Sequence, residues 1–157
     1  MTFLPNIHTA LWGREEWLVS AHPSSPSIIA DGPDAGKTLA GIAPDFPILV
    51  KIIDAKDRLS VQVHPNERTA PLTGGEPKTE MWHVIQADEG AGLYVGFNRK
   101  ITAQQYLDAV ADGHLEDYLK FYPVTSGDTF MIPAGTVHAI GKGVLLAEIQ
   151  QPSDITF

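Results

Sequence analysis

Short apolar stretches, each cut off by glycine, proline or small polar residues, set the pattern of this chain. Such punctuation favours many short strands over long helices. Ile48 to Ile53 forms a compact apolar strand interrupted only by Lys51. Arg58 to His64 follows as a second strand, then a loop rich in Pro, Gly and Glu that runs to Lys78. Thr79 to Gln86, Gly92 to Phe97, Asp128 to Ile132 and Val144 to Gln150 are the remaining strong strands. One helix is marked by its ends. Thr102 stands at the N-cap with Gln105 three residues on, Ile101 and Tyr106 occupy staple positions, and Leu107 and Val110 continue an apolar face. Gly113 can close that helix in a left-handed cap, and a short helical turn is expected over Leu115 to Leu119. One helix among many short strands predicts a mainly β domain, a barrel or jelly roll with a short helical insertion.

With 157 residues the chain is long enough for one domain with its own core. Its net charge of -8 argues against nucleic acid or an anionic membrane surface as a partner. No stretch approaches the roughly 20 apolar residues of a membrane span. Met1 to Trp12 lacks the basic region and apolar run of a secretory signal, so the cytoplasm is the expected compartment. Cysteine is absent, so any metal must be held by His, Asp, Glu, Gln or Asn.

Three segments carry candidate chemistry. Alternation along a strand puts Ser60, Gln62 and His64 on one face, with Val61 and Val63 on the other. It likewise puts Lys78, Glu80 and Trp82 together. Either polar face, taken alone, reads as an ordinary solvated strand. The third segment is more specific. Gly127, Pro133, Gly135 and His138 follow the spacing G-x5-P-x-G-x2-H of the second cupin motif, although the usual later Asn is Lys142 here. Pro133 and Gly135 would reverse the chain at a barrel mouth and turn His138 inward. Together the segments offer His64, Glu80, His138 and Gln62. Two imidazoles and a carboxylate form a catalytic zinc set, although iron, manganese or nickel would accept the same donors.

The stretches GPDAGKTLAGI, LSVQVHP, KTEMWHVI, GLYVGFN and IPAGTVHAIGKGVLLAEIQQPSD resemble the short bacterial type of class I phosphomannose isomerase, in order and spacing, from about Trp12 to Phe157. The resemblance implies a cupin jelly roll over residues 1–157, a zinc ion held by Gln62, His64, Glu80 and His138, and a pocket for a small sugar phosphate lined by Ser60 and Lys78. It implies interconversion of mannose 6-phosphate and fructose 6-phosphate. Glu148 matches an acidic residue of the family's active site, and Lys78 and Glu148 are rival candidates for the proton-transferring group.

Some positions depart from the family. The glycine-rich loop after Trp12 and Gly13 is shortened to Arg14-Glu15-Glu16, and His83 replaces a common Tyr. In the family an arginine regarded as catalytic follows the position of Phe157, with a second cupin-like half after it. The expectation for the chain as given is zinc binding with poor turnover, and exposed strand edges that favour a homodimer. The rival readings are a non-catalytic sugar-phosphate-binding cupin and another metal-dependent cupin enzyme, such as an oxygenase.

Overall fold

The structure, a computed structural model, describes residues 1–155; the position of Phe157 lies outside the described residues. Nine strands form. They are β1 (Ile7–Ala10), β2 (Gly13–Val19), β3 (Leu49–Ala55), β4 (Glu80–Ala87), β5 (Gly92–Phe97), β6 (Leu119–Pro123), β7 (Thr129–Ile132), β8 (His138–Ile140) and β9 (Val144–Gln150). Short helices α1 (Leu39–Ile42) and α2 (Ala70–Thr73) and a longer α3 (Ala103–Ala111) join them. The strands build a six-stranded sheet in the order β1-β2-β3-β9-β4-β7 and a three-stranded sheet β6-β5-β8, with every pairing antiparallel.

The two sheets share one core. Ile53, Trp82, Val84 and Leu146 from the large sheet pack in one cluster with Leu93 and Ile140 from the small one. This is the expected mainly β cupin-type jelly roll. Strict alternation produces it. On β3 Leu49, Lys51, Ile53 and Ala55 point inward, and on β9 Val144, Leu146, Glu148 and Gln150 do. These inward rows change character along their length. Ile53, Ala55, Val144 and Leu146 are apolar, whereas Lys51, Glu148 and Gln150 are polar and equally buried. The register sets Lys51 opposite Glu148, and Glu148 opposite Trp82. One end of the interior is therefore dry, and the other holds charge.

Three expectations change. Arg58 to His64 does not form a full strand. Leu59 donates to the Ile140 carbonyl (3.0 Å), and Gln62 forms a bridge to His138. Leu59 and Gln62 are three positions apart whereas Ile140 and His138 are two apart, so the mismatch acts as a bulge and breaks the ladder. The charged Arg14-Glu15-Glu16 is not a loop, since all three lie in β2 and pair with β3. Helix α3 has the expected capping box at Thr102 and Gln105, and Gly113 has the left-handed φ of 72°. However, α3 turns Ala109 inward and leaves Leu107 and Val110 about half exposed.

Candidate metal centre and adjoining cavity

Backbone hydrogen bonds bring three distant segments together at the charged end. Gln62 and His138 exchange N–H···O bonds of 2.8 and 2.9 Å. The amide of Gly135 donates to the His64 carbonyl (2.8 Å), and that of Lys78 donates to the Pro65 carbonyl (3.1 Å). Gly135 takes a φ of 88°, a conformation costly for a residue with a Cβ, so the Pro133–Gly135 turn can close tightly on His64.

The side chains of His64, Glu80 and His138 converge as a result. One ligand atom from each lies within 4.8 Å of the other two, and all three residues are buried. Glu80 sits between the rings, with Oε1 3.2 Å from His138 Nε2 and Oε2 3.6 Å from His64 Nε2. The Nδ1–H of His138 donates to the Thr136 carbonyl at 2.8 Å. That bond fixes the tautomer and leaves the Nε2 lone pair facing Glu80.

Charge and solvation favour a cation among these atoms. Burial drives the His64 imidazole down to about 3, with Lys78 and His138 adding to the effect. Burial also lowers His138 against the opposing pull of the Thr136 carbonyl. Both rings are therefore neutral, the form that binds metal. Burial raises the Glu80 carboxyl well above the usual range, and the Glu148 carboxylate raises it further. Both nitrogens of His64 and Oε1 of Glu80 are buried without a hydrogen bond, while Oε2 of Glu80 has the Lys78 ammonium at 3.1 Å. Such atoms are expensive to leave unpaired, and a divalent cation bound by one imidazole nitrogen from each ring and the carboxylate would satisfy most of them. The donor set fits the ion.

Beside this group lies a cavity of about 90 Å3, lined in part by Ser60, Gln62, Lys78, Glu80, His138 and Glu148. All the residues read from the sequence as site residues therefore meet in one place, His64 through the metal-ligating group and the rest through the cavity wall. The Gln62 amide donates to Ser60 Oγ at 3.3 Å.

The cavity also contains residues that sequence reasoning missed: Lys51, Glu15, Trp82, Trp12 and Asp154. Lys51, Lys78 and Glu148 are buried, and the ion pairs are arranged symmetrically. Glu148 Oε1 is 3.8 Å from the Nζ of both Lys51 and Lys78. Each lysine is nearer to another carboxylate, Lys51 to Glu15 Oε2 and Lys78 to Glu80 Oε2, both at 3.1 Å. Glu148 Oε2 accepts the Nε1–H of Trp82 at 2.8 Å. Burial would raise Glu148, but Lys78, Lys51 and the Trp82 bond outweigh it and hold the carboxyl low. Burial would lower Lys78, but Glu148 and Glu80 overcome it and hold the ammonium charged.

Comparison with known proteins bears on what this arrangement is. The family model for the phosphomannose isomerase type I catalytic domain matches residues 4–80. A mannose-6-phosphate isomerase of Streptococcus mutans is 41% identical over 156 residues, covering 91% of this chain and 49% of the relative. The chain is similar to type I phosphomannose isomerases, over residues 4–80 by the family model and over 91% of its length by this relative.

A probable mannose-6-phosphate isomerase of Bacillus subtilis, GmuF, is 39% identical over 157 residues, covering 91% of the chain and 50% of the relative. The chain thus spans about half the length of the curated relatives it matches. The crystal structure of a Bacillus subtilis mannose 6-phosphate isomerase superposes with a TM-score of 0.91 at 30% identity, over 99% of this chain and 59% of that one. Among the missed residues, Trp82 left a trace through its alternation with Lys78 and Glu80, and Lys51 left another. It is in phase with Leu49 and Ile53 on an inward row. Glu15 was hidden because a run of three charges does not look like a strand.

Proposed function

We propose that the chain carries the zinc-binding half of an aldose–ketose isomerase that interconverts mannose 6-phosphate and fructose 6-phosphate. The observation that carries this reading is the convergence of His64, Glu80 and His138 beside a cavity walled by Lys78 and Glu148. Gln62 is the fourth candidate ligand, and zinc is the ion this neutral imidazole and carboxylate set suits best. Bound there, zinc would supply Lewis-acid polarisation of the sugar oxygens.

The remaining roles fall to the chain's own groups. Glu148 Oε1 faces the two ammonium groups at 3.8 Å, beyond hydrogen-bond distance, and is open to take a proton. It removes the proton from C2 of the open-chain aldose, leaving the electron pair in a 1,2-enediolate. Returning that proton to C1, while the hydroxyl proton on O2 passes to O1, completes the ketose. Lys78, an ammonium between two carboxylates, places positive charge where the enediolate oxygen develops negative charge. Ser60 at the rim binds the sugar phosphate. The apolar walls from Ile53, Leu59 and Ile140 exclude water from the transfer.

Metal analysis of the purified chain, paired with a coupled assay on mannose 6-phosphate, tests the reading. One zinc per chain with slow isomerisation is the expected result. Bound iron without isomerisation would point to another metal-dependent cupin enzyme. Zinc and sugar-phosphate binding without turnover would point to a non-catalytic binding protein.

A further inference from the structure

We infer that Glu15 is a positioning residue that acts through Lys51 to keep the reacting oxygen of Glu148 free. The inference rests on the isomerase reading above, in which Glu148 moves the proton. Lys51 is buried, and its Nζ has two carboxylates within reach. Left to choose, an ammonium in a low-dielectric site closes on a carboxylate to hydrogen-bond distance, because its unpaired charge is costly. It does so with Glu15, at 3.1 Å, and stays 3.8 Å from Glu148 Oε1.

Two further contacts bias that choice. The Oε2 of Glu15 is itself anchored by the Nε1–H of Trp17 at 2.7 Å. The ring of the same Trp17 lies under Lys51 Nζ, 4.6 Å from its centroid. Glu15 and Trp17 are two apart on β2, so alternation brings both to the same face and they form one cradle for the ammonium. The cradle lies outside the metal-ligating group, so it can act on Glu148 independently of the ion. On the other flank Glu80 holds Lys78 off Glu148 by the same geometry. Among the described residues, Glu148 Oε1 has no hydrogen-bond donor. Without Glu15, Lys51 would close on it and tie up the electron pair that takes the proton.

Three variants of the full chain, Glu15→Gln, Glu15→Asp and Lys51→Met, test the inference together with the Glu15→Gln/Lys51→Met double variant. Gln keeps the acceptor for Trp17 but loses the charge that holds Lys51. Glu15→Gln is expected to lower kcat about tenfold to a hundredfold, the range of one added hydrogen bond to a charged group, with KM and bound zinc unchanged. Glu15→Asp, which restores the charge, should recover most of the rate. In the Lys51→Met background the Glu15→Gln change should have no further effect, because Glu15 acts only through Lys51. A crystal structure of Glu15→Gln should show Lys51 Nζ within hydrogen-bond distance of Glu148 Oε1. Unchanged kcat in Glu15→Gln, or full additivity in the double variant, would overturn the inference. If the unmodified chain shows no isomerisation, the isomerase reading fails separately. The crystal structure then decides the positioning claim alone, and an unmoved Lys51 would overturn it.

Discussion

Gln62 and His138 hold each other through a reciprocal pair of backbone hydrogen bonds, 2.8 and 2.9 Å, although 76 positions separate them (138 − 62). Both residues face the same cavity. The pairing fixes the distance between the His64 segment and the motif that delivers His138 before any side chain is considered. A ligand lost on one side therefore leaves the frame intact and removes only the metal.

His138→Ala should accordingly fold but lose zinc. Its affinity should fall by more than about a hundredfold, the upper end of the cost of losing a mere outer-shell partner. The unmodified chain, at free zinc about a hundredfold above its Kd, should be stabilised by about 2.7 kcal/mol over the chelated form. Calorimetry with and without chelator reads this difference, and His138→Ala should show none of it. A variant still stabilised by zinc would remove His138 from the ligand set.

Trp82→Phe deletes the donor to Glu148 Oε2 while keeping most of the buried ring. A hydrogen bond to a charged group contributes about 1.5–3 kcal/mol, and its loss leaves the carboxylate less compensated. Denaturant unfolding should show destabilisation of about that size. A loss below about 0.5 kcal/mol, within the ordinary range for surface substitutions, would mean that the bond contributes nothing.

Gly13→Ala tests the β1–β2 corner. Gly13 has a φ of 145°, and an added Cβ would meet the Asp54 carbonyl oxygen at 2.0 Å. The clash is with backbone, so β2 or β3 must shift, and a destabilisation above about 2 kcal/mol is expected. Gly32→Ala is the control. Its φ is 81°, but nothing lies within 4 Å of the new methyl group. Its cost should stay near the conformational one, about 1–2 kcal/mol. Comparable midpoints in urea for the two variants would contradict the steric account.

Thr102→Ala should shorten α3 without touching the metal centre. Thr102 Oγ1 accepts from the Gln105 amide (3.2 Å), and the Gln105 side chain accepts from the Thr102 amide (2.9 Å). Losing such a cap costs about 1 kcal/mol. Hydrogen exchange should quicken in the first turn of α3 while zinc stoichiometry is unchanged. Loss of zinc would mean that the helix supports the site.

The proposed ligands were legible because each sits in a pattern whose geometry is local. Alternation aligned Gln62 with His64 and Lys78 with Glu80, and a fixed turn motif delivered His138. What was not legible depends on which strands become neighbours. Lys51 looked like an interruption in an apolar strand. Its meaning appears only when β9 places Glu148 opposite it and β2 supplies Glu15. The strand character of Arg14-Glu15-Glu16 was hidden for the same reason, since its charges are matched by partners on β3 such as Asp54 opposite Arg14. The broken strand at Arg58 to His64 failed the other way. Its alternation was right, but a one-residue mismatch against β8 is a property of the pair rather than of either segment.

The inward rows of β3 and β9 are divided between an apolar end and a charged end, and the division separates two kinds of evolutionary change. Substitutions among Ile53, Val84, Leu93 and Leu146 are judged by whether the chain folds at all. Substitutions among Lys51, Gln62, Glu80 and Glu148 are made on a frame whose apolar end is left in place, so selection can judge them by what they bind or convert. A scaffold divided in this way can exchange one chemistry for another at its mouth while its lineage keeps the same barrel.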